Sequence, residues 1–312
     1  MQSFKLTLAN GATLTGLSNL PPHNPTTTPK YRPLMVGLHG GSYSAGYFDV
    51  NEKVSASITS NGLGVPWVAI DRPGYRTSTS FNPIPEGSSY FEMIGSWLHA
   101  YILPALWSEF GAPQGCTGVV LHCHSLGTTG GVISAGLHAT EIKQGKTPAY
   151  PLLGVISSGF GTRSIYAMET PEPKPEFIEI PGKHKDAMFL PPGSCDESVW
   201  EHTDRLNEPL PVREVDEVRA VWLERFKTEW APLVEVPVMI GIAERDVFWE
   251  GSEEHVRDFG GAFTASPRVD GSLIRGATHN LEMNYWAPGW YARCFGFGLE
   301  CAASFALAGL EV

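Results

Sequence analysis

One serine in the sequence stands where a nucleophile could be exposed. Ser125 lies in the stretch LHCHSLGTTGG, after the apolar run GVVLH and at the start of a glycine-rich segment that reads as a helix. A serine hydroxyl is a weak nucleophile at neutral pH, so it needs a general base within hydrogen-bond reach. The competing interpretation is a polar residue that only completes a glycine-rich turn, and partners elsewhere in the chain must decide between the two.

A histidine and a carboxylate late in the chain could be these partners. His279, in GATHNLE, is a candidate for the base that takes the serine proton. Asp246, in ERDVF, is a candidate for the carboxylate that holds the imidazole in one tautomer and stabilises its cation. Glu244, two residues before Asp246, is the alternative carboxylate. Together the serine, the acid and the histidine could perform acyl transfer.

Short apolar runs bounded by proline and glycine predict the strands that would position these groups. They are LMVGL from Leu34, VPWVAI from Val65, GVVLH from Gly118, LLGVISS from Leu152, VPVMIGIA from Val236 and, more weakly, SLIRG from Ser272. Helix-like segments at 48–60, 90–110, 126–140, 251–263 and 286–308 separate or follow them. Strands that alternate with helices predict a parallel, helix-covered sheet, preceded here by a hairpin around Asn10-Gly11. Functional groups collect at the carboxyl ends of the strands of such a sheet.

One long interval interrupts the alternation. Between 159 and 232 no core strand appears; a proline-rich stretch (ETPEPKPEFIEIPGKHKD) precedes two helix-like pieces at 195–206 and 212–230. A structureless loop of this length is uncommon in a compact domain, and the interval has apolar residues of its own. We therefore predict a helical lid at 159–232, inserted into a core formed by 1–158 and 233–312.

The pattern CHSLG around Ser125 is similar to the nucleophile elbow G-x-S-x-G, with Cys123 in place of the first glycine. With the chain order serine, acid, histidine, the sequence resembles the α/β-hydrolase superfamily from about residue 34 to residue 284. The resemblance implies a mostly parallel, eight-stranded α/β-hydrolase sheet with helices on both faces and a helical lid after the sixth strand. It also implies a catalytic triad of Ser125, His279 and Asp246.

Two backbone amides are expected to form an oxyanion hole. A sharp turn from strand to helix would aim the N–H of Leu126 at the developing oxyanion. By resemblance, the second donor is the amide of Gly41 in HGGSY, with Ser42 as the neighbouring possibility. His39 supports this loop in the family, and Asp71 and Arg72 in DRPGY are expected to be structural.

The residues beside Ser125 are expected to have structural roles. Cys123 is expected to face the interior of the sheet as an inert, apolar thiol. His124 occupies a position that is structural in the family. His122 is expected to be a core histidine, with the lining of the pocket as the alternative.

Aromatic and apolar residues cluster in sequence beside the proposed catalytic groups. They predict a roomy, mostly apolar pocket for a neutral, bulky acyl substrate. The residues expected to line this pocket are Ser42, Tyr43, His122, Phe248, Trp249 and Trp222. No convergent pair of Arg or Lys is evident that would clamp a phosphate or carboxylate.

The composition limits the classes of partner that the protein is expected to bind. Acidic residues outnumber basic ones, 33 to 22, which argues against nucleic acid or an anionic membrane as partner. The N-terminus lacks the pattern of a secretory signal, and the late apolar segment from Cys294 is too short to span a bilayer. The five cysteines are irregularly spaced, which favours a reducing compartment, so a cytoplasmic location is the expectation. No metal or organic cofactor is expected, and the oligomeric state is open.

Three functions fit these observations. The leading expectation is a serine hydrolase that cleaves a carboxylic ester or thioester through an acyl-enzyme. The same triad could instead serve C–C bond cleavage, elimination or cyclisation in secondary, polyketide-like metabolism. A non-catalytic ligand receptor on the same fold is the alternative of another class, although a pure binder has no need for all three residues of the triad.

Overall fold

The computed structural model describes residues 1–24, 26–166, 170 and 173–308. Eight strands form one sheet in the order β1-β2-β4-β3-β5-β6-β9-β10, and a separate ladder joins β7 and β8. The strands are β1 (Gln2–Thr7), β2 (Thr13–Asn19), β3 (Leu34–Leu38), β4 (Trp67–Ile70), β5 (Val119–His124), β6 (Leu152–Ser158), β7 (Phe177–Ile178), β8 (Leu210–Pro211), β9 (Val238–Arg245) and β10 (Val269–Thr278). Strands β1 and β2 pair antiparallel, β2 pairs antiparallel with β4, and the other neighbours run parallel. The predicted mostly parallel, eight-stranded sheet is confirmed.

Helices surround this sheet. The α-helices are α1 (Ala56–Leu63), α2 (Tyr90–Trp97), α3 (Leu103–Leu106), α4 (Gly127–Lys143), α5 (Gly182–Phe189), α6 (Thr203–Leu206), α7 (Val212–Glu217), α8 (Leu223–Arg225), α9 (Glu253–Gly260) and α10 (Ala287–Ala308). Short 3-10 helices lie at Ala45–Phe48, Glu197–His202 and Ala231–Leu233, and π-helical turns lie at Leu98–Ile102, Trp107–Gly111, Val218–Trp222 and Phe226–Trp230. In the part of the chain that the structure describes, no helix combines the length and apolar character needed to cross a membrane.

The central strands are apolar on both faces because each face packs against a separate core. In β3, Met35 belongs to the core that contains Phe295 of α10, whereas its neighbour Val36 belongs to the core that contains Val132 of α4. Side chains alternate between the faces of a strand, so a strand covered on both sides reads as a continuous apolar run. This is why the runs from Leu34, Gly118 and Leu152 could be recognised in the sequence.

Two local predictions need correction. The helix predicted at 48–60 begins only at Ala56, after the cap Ser55, whose hydroxyl accepts the amide of Ser57. Just before the cap, the side chain of Asn51 accepts the amides of Lys53 and Val54, each at 2.9 Å, and so forms a turn. The last strand, β10, is also longer than the weak run SLIRG indicated, because it pairs along β9 from Val269 onwards.

The residues between β6 and β9, hereafter the inserted segment, contain β7, β8 and the helices α5 to α8. The helix-like pieces predicted at 195–206 and 212–230 are largely helical. The proline-rich stretch before them contains β7 and the first residues of α5. Strands β7 and β8, both within this segment, pair antiparallel. That the inserted segment acts as a lid stays a prediction.

The packing of α4 against the sheet explains the cysteine in the elbow pattern. A Cβ atom on Gly127 would lie 2.4 Å from the carbonyl oxygen of Leu38, so the helix approaches β3 too closely for any side chain there. One turn further along, a Cβ atom on Gly131 would lie 2.4 Å from Sγ of Cys123. The space that a glycine at 123 would leave empty is therefore filled by the thiol, and Gly131 makes room for it.

The contact between Gly131 and Cys123 predicts that the cost of substituting Gly131 depends on the residue at position 123. Gly131→Ala alone should lower the free energy of unfolding by about 1–3 kcal/mol, since the new methyl group overpacks against Cys123. In the Cys123→Ala background the same substitution should be neutral or stabilising, because the methyl group would then meet Cβ of residue 123 at 3.7 Å and alanine favours helix. Urea unfolding of the four proteins measures the coupling. An equal cost of Gly131→Ala in both backgrounds would contradict the packing described here.

Candidate active site

Ser125 sits in a strained turn between β5 and α4. Its φ of +50° lies in the left-handed region, which non-glycine residues rarely adopt, and its amide donates to the carbonyl oxygen of Ser158 at 2.8 Å. The turn projects the hydroxyl beyond the carboxyl end of β5. There the Gly40-Gly41 loop passes so close that a Cβ atom on Gly40 would lie 2.9 Å from Cβ of Ser125.

A chain of two hydrogen bonds connects the serine, the histidine and the aspartate. Nε2 of His279 lies 3.1 Å from Oγ of Ser125, and Nδ1 of the same ring lies 2.8 Å from Oδ2 of Asp246. All three side chains are buried or nearly so, and each follows the carboxyl end of a parallel strand of the sheet. The structure therefore brings together the three residues that the sequence predicted as a triad.

The carboxylate is held by the backbone that follows it. Oδ1 of Asp246 accepts the amides of Phe248 and Trp249, at 2.9 Å and 3.3 Å, which leaves Oδ2 for the imidazole. Glu244, the alternative acid, instead accepts Arg275 at 2.7 Å and the amide of Gly276 at 2.8 Å near the surface. Asp246 is the carboxylate that contacts His279.

The two residues predicted to supply oxyanion donors, Gly41 and Leu126, lie next to Ser125. The amides of Gly41 and Leu126 take part in no hydrogen bond between described residues. Their residues also pack against each other, since a Cβ atom on Gly41 would lie 2.7 Å from Cδ1 of Leu126. Behind the loop, burial and the charge of Arg72 hold the pKa of His39 well below its usual value. The neutral ring can then donate from Nδ1 to the carbonyl oxygen of Gly40 while Nε2 accepts the amide of Arg72.

The serine opens into a cleft of about 800 Å³ that includes space open to solvent. Most of its wall is apolar, and much of this wall comes from the inserted segment. Besides the catalytic groups and the Gly40-Gly41 loop, it is lined by Tyr43, His124, Leu126, Phe160, Ser164, Tyr166, Ile180, Phe189, Leu210, Val215, Val218, Arg219, Phe248, Trp249 and Asn280. Arg219 is the one formally charged side chain among these described residues.

The residues predicted to line the pocket divide into two groups. Tyr43, Phe248 and Trp249 line the cleft as predicted. Ser42 does not, because its hydroxyl turns away and donates to the carbonyl oxygen of Glu208 at 3.1 Å. Trp222 is fully buried behind Phe160 and donates from Nε1 to the carbonyl oxygen of Gly161 at 3.0 Å. Their assignment to the pocket was wrong.

His122 is also absent from the cleft and belongs to a buried polar cluster. Its Nε2 lies 2.8 Å from Oε1 of Glu282, and its ring packs among aromatic side chains. The core alternative for His122 is therefore the correct one. Residues 122 and 124 point to the same face of β5, and Nδ1 of His124 lies 3.2 Å from Oε2 of Glu282. His124 in turn packs against the ring of His279, with 5.1 Å between the ring centroids.

Glu282 is a buried carboxylate that the sequence reasoning missed. Besides the two histidines it accepts Ser158 at 2.6 Å, Tyr47 at 2.7 Å and Trp290 at 2.8 Å. Burial alone would raise the pKa of Glu282, but His124 and the hydrogen bonds from both histidines hold it well below its usual value. A glutamate in the apolar surroundings of HNLEMNYW was the available signal.

The inserted segment supplies two further buried ionisable residues that the sequence did not indicate. Lys185 of α5 donates from Nζ to the carbonyl oxygen of Ser42 at 2.8 Å. Burial lowers the pKa of Lys185 to about 7, against the opposing effects of Asp186 and Glu208. Glu214 of α7 forms a buried ion pair with Arg72. Neither residue could be recognised from a local sequence motif, because the partner of each is distant along the chain.

The thiol of Cys123, two residues before Ser125, is unreactive. Burial raises the pKa of Cys123, so the thiol stays protonated and cannot act as a nucleophile at neutral pH. In the described part of the chain, no group of three or more His, Cys, Asp or Glu is arranged to hold a metal ion.

Comparisons with known proteins agree with this geometry. A sequence model described as "Alpha/beta hydrolase family" matches residues 35–293. No curated protein matches the sequence.

Solved structures share the fold at low sequence identity. A monoacylglycerol lipase from Paleococcus ferrophilus is 16% identical, with coverage of 87% of this chain and 96% of that chain and a TM-score of 0.57. Est1E from Butyrivibrio proteoclasticus, solved with ferulic acid bound, is 16% identical, with coverage of 94% and 97% and a TM-score of 0.55. A hydrolase from Pseudomonas aeruginosa PA01 is 12% identical, with coverage of 95% and 98% and a TM-score of 0.59. At these identities the likeness shows the fold.

The lowered pKa of Lys185 predicts a pH-dependent stability. Below pH 7 the lysine is charged in the folded and unfolded states, and the cost of burying the charge is fully present. As the pH rises above 7, the folded state releases the proton before the unfolded state does. The free energy of unfolding should therefore rise, by at most about 1.4 kcal/mol per pH unit from this one group.

Lys185→Met should remove this rise, because methionine keeps the apolar stem without a titrating amine. Urea unfolding of both proteins at pH 7 and pH 9 provides the measurement, and the remaining titratable groups cancel in the comparison. An identical change between the two pH values in both proteins would show that Lys185 does not titrate in this window.

Proposed function

The chain belongs to the alpha/beta hydrolase family, and on this premise we propose that it is a serine hydrolase. Its substrate is a carboxylic ester or thioester of a bulky, mostly apolar small molecule. The observation that carries the proposal is the hydrogen-bonded chain of Ser125, His279 and Asp246 at the floor of an apolar cleft. A buried nucleophile, base and carboxylate in this order can perform acyl transfer.

The first half of the reaction forms an acyl-enzyme. Oγ of Ser125 attacks the acyl carbon while Nε2 of His279 takes the hydroxyl proton, and Asp246 stabilises the imidazolium. The carbonyl oxygen becomes an oxyanion that accepts the amides of Gly41 and Leu126. The intermediate then collapses, and His279 returns the proton to the departing alcohol or thiol. In the second half, His279 removes a proton from water, which attacks the acyl carbon of the Ser125 ester. The second tetrahedral intermediate then collapses, His279 returns the proton to Oγ of Ser125, and the carboxylic acid is released.

The lining of the cleft supports the choice of substrate class. Phe160, Phe189, Phe248 and Trp249 offer broad apolar surface next to the reacting groups. The cleft excludes water from this surface when an apolar acyl or alcohol group fills it, which favours binding. Arg219 adds one charge, in an exposed position, so the floor of the cleft suits a neutral group.

Ser125→Ala should abolish covalent labelling by a fluorophosphonate probe, since the probe needs a serine oxygen activated by a base. Ser134→Ala is the matched control, because Ser134 is a buried serine on α4 whose hydroxyl donates to the carbonyl oxygen of Gly131, away from the cleft. Gel fluorescence measures labelling and circular dichroism checks the fold. Persistent labelling of folded Ser125→Ala would remove Ser125 from the nucleophilic role.

Asp246→Asn should lower kcat for a p-nitrophenyl ester such as the octanoate by about a thousandfold or more, because the amide no longer favours the productive tautomer of His279. Glu244→Gln should keep kcat within about twofold of the parent, since Glu244 contacts Arg275 and not the imidazole. Steady-state kinetics of both variants give the comparison. A larger loss in Glu244→Gln than in Asp246→Asn would reverse the assignment of the acid.

A further inference from the structure

The Gly40-Gly41 peptide is fixed from behind by its carbonyl group. The carbonyl oxygen of Gly40 accepts Nδ1 of His39 at 2.7 Å and Nη2 of Arg72 at 3.2 Å. In a trans peptide the C=O and the following N–H point in opposite directions. Donors that hold the carbonyl of Gly40 on one side therefore aim the amide of Gly41 to the other side. Glycine at both positions would otherwise leave this peptide free to rotate.

Arg72 is itself oriented by the inserted segment. Its guanidinium forms a two-pronged, fully buried ion pair with Glu214 of α7, with 3.1 Å between Nη2 and Oε2. The hydroxyl of Tyr75 donates to the same carboxylate at 2.7 Å. A bidentate pair fixes the plane of the guanidinium as well as its position. The direction in which Nη2 meets the carbonyl of Gly40 is thus set by a residue outside the core of the fold.

The other end of the loop is held by the same segment. The carbonyl oxygen of Ser42 accepts Nζ of Lys185 at 2.8 Å and the amide of Glu208 at 3.1 Å. Ser42 has a φ of +63°, a left-handed conformation that persists in a non-glycine residue only when its surroundings impose it. The ammonium of Lys185 also lies over the ring of Tyr43, 3.8 Å from its centroid.

We propose that the inserted segment positions the oxyanion donor of Gly41, with Glu214 acting through Arg72 and Lys185 acting through Ser42. The proposal rests on the proposed function, because it assigns a role within that reaction. Glu214 and Lys185 are positioning residues and are absent from the lining of the cleft. It follows that the part of the inserted segment from α5 to α7 must stay docked during catalysis, so any opening for substrate takes place elsewhere.

Glu214→Gln tests the first contact, and Glu217→Gln is its matched control. Glu217 is a buried glutamate on the same helix, but it accepts the amide of Tyr90 at 2.6 Å and pairs with Arg213, away from the loop. Glu214→Gln should lower kcat for p-nitrophenyl octanoate by about tenfold to a hundredfold, with KM changed by less than about twofold. Loss of a whole oxyanion donor costs about a hundred- to a thousandfold, and a displaced donor costs less.

Lys185→Met tests the contact between Lys185 and the carbonyl oxygen of Ser42, and it should lower kcat as Glu214→Gln does. Inhibition by benzeneboronic acid gives a second readout, because its tetrahedral adduct with serine occupies the oxyanion hole. The inhibition constant should rise by about the same factor as kcat falls in Glu214→Gln and Lys185→Met. It should be unchanged in Glu217→Gln. A residue that only stabilises the fold would lower the melting temperature without this proportional change.

If Glu214→Gln does not fold, the double variant Arg72→Met with Glu214→Met replaces it, since removing both charges avoids an unpaired buried ion. The same loss of kcat is expected, and parental kcat in the folded double variant overturns the role of Glu214. Parental kcat and boronate inhibition in folded Glu214→Gln and Lys185→Met overturn the whole proposal. These results are distinct from failure of the proposed function, in which the parent protein itself shows no Ser125-dependent labelling or turnover.

Discussion

The close approach of helix α4 to the central strands is the constraint on which the site depends. Gly127 and Gly131 allow this approach, because a side chain at either position would meet a strand backbone or Cys123. The tight junction between β5 and α4 leaves Ser125 in a left-handed conformation. That conformation directs the hydroxyl to the edge of the sheet where the strands ending near Asp246 and His279 also arrive. The strain at one residue is sustained by the packing of the whole layer.

Buried charge surrounds the reacting groups on two sides. On one side Glu282 forms hydrogen bonds with four side chains and also contacts His124, which packs against the imidazole of His279. On the other side the pair of Arg72 and Glu214 lies behind the Gly40-Gly41 loop. A buried carboxylate is tolerated only when its oxygens are fully hydrogen-bonded or paired, and such networks are rigid for that reason. The catalytic groups thus lie between two fixed polar centres.

The inserted segment has two relations to the site. Its apolar residues, among them Phe160, Phe189 and Val218, form much of the wall of the cleft. Its charged residues Lys185 and Glu214 reach past this wall to the loop beside the serine. Residues that line a cleft can vary with the ligand, whereas a buried charge cannot move without losing its partner. One segment therefore both lines the cleft and contacts the groups that hold the Gly40-Gly41 loop.

The sequence by itself determined the parallel sheet, the elbow at Ser125 and the identity of its two partners. The sheet and the elbow could be predicted because apolar runs and glycine spacing are local properties of the chain. The two partners were predicted because the chain order of serine, acid and histidine resembles that of α/β-hydrolases. It failed for Ser42 and Trp222, which were placed in the pocket, it left His122 open between core and pocket, and it missed Glu214, Lys185 and Glu282. The direction in which a side chain points, and the partner of a buried charge, depend on residues far away in sequence. Arg72 meets Glu214 only after the inserted segment packs on the core, so only the tertiary structure could reveal their contact.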